Sequence, residues 1–113
     1  MGFLVSFQRQ MYLTNYVNDL EIKMTRLTEQ KLDLTDQITE ITTSISDIGD
    51  NDLASVKKLK KRQQQLEKID KELDAQMKKM QTQLDAANTE LKSAEKSTQN
   101  GIQRSFTYNV GGG

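Results

Sequence analysis

The sequence predicts an all-α fold, an antiparallel two-helix coiled-coil hairpin with a short extended C-terminal tail, and three observations carry that reading. Apolar residues recur at alternating spacings of three and four on both sides of Gly49. Before it they are Leu13, Val17, Leu20, Met24, Leu27, Leu34, Ile38, Ile41, Ile45 and Ile48; after it, Val56, Leu59, Leu66, Leu73, Met77, Met80, Leu84, Ala87, Leu91 and Ala94. This is the heptad phase of a coiled-coil seam. Between the two stretches, Gly49-Asp50-Asn51-Asp52 has the composition of a turn, and the chain contains no proline to break either helix.

Taken in order, the expected elements form a single domain over residues 1–113: a helix over about 4–48, a turn at 49–52, a helix over about 53–100, and a tail at 101–113. Ser6 and Thr14 are candidate N-caps of the first helix. Its last turns, from Ile41 to Ile45, are β-branched or hydroxylated and have mediocre helix propensity. Gly49 suits a left-handed C′ position, and Asp50 or Asp52 can cap the second helix. Gly101 offers the second helix a stop. Beyond it Phe106, Tyr108 and Val110 alternate with polar residues at a period of two, which predicts a short strand or extended tail. The closing Gly111-Gly112-Gly113 reads as a flexible end.

Each seam is interrupted by charge. Lys31 sits between Leu27 and Leu34, and Asp70 between Leu66 and Leu73. With the turn near residue 51, facing positions have numbers summing to about 101–104, which brings Lys31 and Asp70 to the same or adjacent layers. They are expected to form a polar pair that fixes register at some cost in stability. The alternative is that Lys31 snorkels outward while Ile69 replaces Asp70 in the packing.

Composition narrows the functions. Apolar residues make up 35% and aromatics 5%, too few for a thick core, so oligomerisation is expected to make up the shortfall. The net charge is zero but divided: residues 13–48 carry net −4 and residues 53–99 net +4, which favours folding one arm on the other. Neither histidine nor cysteine is present, so the usual general base, the thiol nucleophile and a disulfide are all missing. No phosphate loop or metal-ligand spacing occurs, and Asp47 to Asp52 lacks the pattern and closing glutamate of a calcium loop. An enzyme, a cofactor and a metal site are therefore not expected. Lys57, Lys58, Lys60, Lys61 and Arg62 encircle the helix without interleaved aromatics, so neither nucleic acid nor a membrane surface is expected as partner.

All the aromatics lie near the termini: Phe3, Phe7, Tyr12, Tyr16, Phe106 and Tyr108. A hairpin gathers them at the end away from the turn, joined by Leu4, Val5, Met11, Ile102 and Val110. Phe3, Leu4, Phe7, Met11, Tyr12, Tyr16, Ile102, Phe106, Tyr108 and Val110 are the candidate interaction residues, docking a protein partner, chiefly a second copy in a homo-oligomer. A local cap, with the tail folded over the first helix, is the competing reading.

The layout resembles bacterial export-apparatus filament subunits, the flagellins and type III secretion filament or needle proteins. The similarity lies in paired terminal helices and in a start, Met1 to Asn18, whose only charge is Arg9. It implies a secreted or filament-type structural subunit that polymerises through its apolar end. The start lacks the pattern of a cleaved signal peptide, so the protein is expected to be cytoplasmic or exported without one. The alternative function is a cytoplasmic coiled-coil adaptor or chaperone-like protein binding a partner helix, with Ile22 and Leu32 marking a face off the main seam.

Overall fold

A computed structural model describes residues 2–111, excluding the side chains of 105 and 107–111. Two helices account for nearly all of it: α1, Phe3–Ile48, and α2, Leu53–Gly111. The hairpin expected from the heptads is the fold. Every position in the three–four series from Phe3 through Ser6, Gln10 and Leu13 to Ile48, and from Val56 to Gly101, is buried or half-buried. Both charged interruptions are included.

Gly49 makes the reversal possible. Its φ of 55° is left-handed, where a Cβ would be strained. Its N–H closes on Ile45 O at 3.0 Å, and Asn51 N–H reaches Ile48 O at 3.1 Å, so two of the last four carbonyls of α1 are satisfied within the turn. Asp52 is then the N-cap of α2. Its carboxylate accepts from Ser55 N–H at 3.1 Å and from Ser55 Oγ at 2.7 Å. These bonds, the Ser55 hydroxyl's first, hold its carboxyl below the ordinary 3.8.

The chain ends depart from expectation. Neither Ser6 nor Thr14 caps α1, which begins at Phe3. Ser6 is buried in the seam, and the Thr14 hydroxyl donates to Gln10 O within the helix. The extended tail is also corrected: α2 runs through Gly101 to Gly111, and no strand occurs among the described residues. A lone strand would have no second strand to pair with, whereas continuing the helix satisfies each backbone group locally. Gly101 is no stop. A Cβ there would lie 3.2 Å from Phe3 Cβ and 3.3 Å from Phe3 Cα, so the glycine lets the start of α1 approach α2 closely.

The structure divides into two compact units, residues 1–22 with 80–113 and residues 23–79. In the first, which holds both chain ends, Val17, Leu20 and Ala87 form a cluster packed by Met80, Leu84 and Leu91. Ala87, Ala94, Thr98 and Gly101 make its α2 seam narrow. The second unit holds the turn, with Leu34, Val56 and Leu66 as its buried apolar residues.

Candidate protein-binding surface

The terminal unit carries large apolar side chains that its own seam leaves uncovered. Leu4 is 70% exposed, Tyr12 67% and Phe106 69%, and Val5, Phe7, Met11, Tyr16 and Ile102 are exposed as well. Phe3 is half-buried against Gly101 and stacks on Phe7, with ring centroids 6.1 Å apart. In an antiparallel pair, the residue following each seam position turns toward the same side of both helices. Leu4, Phe7 and Met11 on α1 therefore share a side with Ile102 and Phe106 on α2.

Tyr12 and Tyr16 do not join them. Their rings stack 6.4 Å apart and nearly parallel on the opposite side. With Leu13, Gln83, Ala86, Ala87 and Glu90 they line a shallow cleft of about 300 Å³. Arg9 meets Glu90 on that side at 3.8 Å, between exposed groups. The aromatics that sequence reasoning gathered into one tip thus lie on two separate sides. The side chains of Tyr108 and Val110 lie outside those described.

In the turn unit, Lys31 Nζ donates to Asp70 Oδ1 at 3.3 Å and also to Asp74 Oδ1. Asp74 was not among the residues singled out from the sequence. Its signal is the spacing of four from Asp70, which places both carboxylates on one face of α2. The Asp74 bond, the largest effect, raises the Lys31 ammonium above its ordinary 10.5; burial opposes it, and the weaker Asp70 bond adds to the rise. Gln63, another polar seam position, donates to Thr42 Oγ1 at 2.8 Å.

Among the described residues no group of acids is placed to hold a metal ion, and no helix is long and apolar enough to cross a membrane. A heptad-packed hairpin with uncovered apolar side chains defines a class: a coiled-coil protein whose chemistry is contact with other proteins. Residues 2–106 match the family model described as the kinetochore protein NDC80 loop region. The chain belongs to that family. No curated protein and no solved structure matches it.

This finding overturns the resemblance to export-apparatus filament subunits, and with it the reading as a secreted, polymerising subunit. That resemblance rested on paired heptad helices and a charge-poor start. Any coiled-coil hairpin can share the first, and the second has another explanation in the uncharged faces of α1. The family is structural rather than enzymatic, and its members work in protein complexes.

Proposed function

We propose that this chain is a coiled-coil docking module of a kinetochore-type complex inside the cell, holding a helix of a partner protein against its surface. The observation that carries this reading is the side of the terminal unit formed by Leu4, Phe7, Met11, Ile102 and Phe106, apolar and open to solvent. Side chains of this kind anchor interfaces when a partner removes them from water. Total surface points the same way. The protein exposes 8701 Å², whereas a compact monomer of 12.9 kDa would expose roughly 6300 Å².

The test places charge on that side. Met11→Glu and Phe106→Glu in the full chain should leave helicity and melting nearly unchanged while abolishing recruitment of the tagged protein to kinetochores in dividing cells. Unchanged recruitment by both variants would refute the proposal. Light scattering over a concentration series decides whether the partner is a second copy. A dimer that Met11→Glu dissociates identifies self-association, and a monomer at all concentrations identifies a heterotypic partner.

A further inference from the structure

The turn unit carries a second heptad stripe beside the seam, which α2 touches at Thr42 through the Gln63 amide. Thr25, Thr28, Leu32, Thr35, Thr39, Thr42 and Ser46 follow one another on α1 at alternating spacings of three and four. Each comes directly after a seam residue, and all are exposed. None is charged, in a sequence where 28% of residues are. The stripe covers three heptads, the length at which such a repeat marks a helix-packing face.

A row of threonines would ordinarily resist burial, because each hydroxyl taken from water needs a partner. Here that need is met within the helix. Thr28 donates to Met24 O, Thr35 to Lys31 O and Thr39 to Thr35 O, each at 2.9 Å, and Thr42 to Ile38 O at 2.8 Å. With these four hydroxyls turned onto α1's own carbonyls, the middle of the face offers methyl groups, and covering Thr28, Thr35, Thr39 and Thr42 strands none of their donors.

Charge borders the stripe on both edges, with opposite sign. On the α2 edge Lys57, Lys60 and Lys71 each follow a seam residue and so turn to this same side. The acids there are Glu67 and Asp74, and Asp74 is engaged by Lys31. On the outer edge of α1 stand Glu29 and Asp36, one position past Thr28 and Thr35. An occupant must be uncharged along its middle, acidic along one flank and basic along the other.

We propose that this threonine face seats a third helix, supplied by a partner protein, with a small uncharged heptad seam, an acidic flank toward α2 and a basic flank toward α1. The proposal deepens the docking reading but uses a different surface from the terminal cluster.

The experiment titrates the full chain with three synthetic four-heptad peptides that have Ala and Val in the seam. One has Glu on one flank and Lys on the other, one has Glu on both, and one has Lys on both. The mixed peptide is expected to bind one per chain, at least about tenfold tighter than either uniform peptide at low salt. Thr35→Lys should abolish that binding while the melt stays unchanged, since Thr35 is exposed; Met11→Lys should leave it intact. Equal binding of all three peptides, no binding of the mixed one, or full binding by Thr35→Lys overturns the proposal. So does a dimer of the protein alone that Thr35→Lys dissociates, because the seat then belongs to a second copy. A failed titration beside a working Met11→Glu localisation test sinks this face and spares the terminal surface.

Discussion

The Thr98 hydroxyl is buried in the seam of the terminal unit and has no hydrogen-bond partner. Ser6, buried as well, belongs to the same narrow stretch. A buried hydroxyl without a partner forfeits its hydration and gains nothing in return. Thr98→Val keeps the branched shape and removes the polar atom, so it should stabilise the protein by about 1 kcal/mol. A melting temperature raised by roughly 4 °C would register this, and a lowered one would show that the hydroxyl has a partner after all. Gly101, one turn on, sets two effects in opposition. Alanine in a helix gains about 0.5–1 kcal/mol over glycine, yet its Cβ would press on the backbone of Phe3 at 3.3 Å. Gly101→Val loses the propensity gain through β-branching and adds bulk, so it should lower the melting temperature and uncover Phe3. Increased proteolytic cleavage near residue 3 is the confirming measurement. None of this was legible in the sequence. A glycine after a long heptad run reads equally as a stop or as a close approach, and only the helix facing it decides.

At the scale of elements, the turn and the seams were legible because their causes are local. Alternating three–four spacing has no extended-chain equivalent, and a glycine between two such runs has one economical use. Gly49→Ala forces a Cβ into the left-handed region at φ 55°. It should cost about 1–2 kcal/mol, read as a lower urea midpoint at constant m. The Asp52 cap makes a pH-dependent prediction. Its folded pKa is lowered, so its contribution is present above the ordinary 3.8 and disappears as pH falls through the folded value. Wild type should therefore melt above Asp52→Ala at neutral pH, and the gap should close as the solution is acidified below the folded value. A gap that persists there would mean that the charge plays no part in the cap. The C-terminal tail was misread for the opposite reason. The alternation of Phe106, Tyr108 and Val110 is a five-residue pattern, too short to outweigh propagation of an established helix. The threonine face went unread because hydroxyl residues count as polar until their bonds to the preceding turn are seen.

For the whole molecule, the question is what Lys31 and Asp70 contribute to a chain whose turn already fixes the alignment of its arms. A short covalent connection leaves a monomer little freedom to slip, so the pair's discrimination must act on competing assemblies. The most accessible of these opens the turn and pairs α1 of one copy with α2 of another in a different register. Lysine and aspartate at apolar layers penalise such registers, because each misplaced charge would face leucine or isoleucine unpaired. The same pair costs the native hairpin two apolar contacts. Lys31→Leu with Asp70→Leu should accordingly raise the melting temperature by several degrees, while light scattering shows dimers and larger species absent from wild type. The pH profile separates this from generic stabilisation. The Lys31 pKa is raised on folding, so its interaction is complete below 10.5 and is lost as pH rises through the folded value. The stability advantage of the double variant should therefore widen in that alkaline range. A double variant less stable than wild type would show that the ion pair is a net source of stability, and register selection would then have no cost to explain.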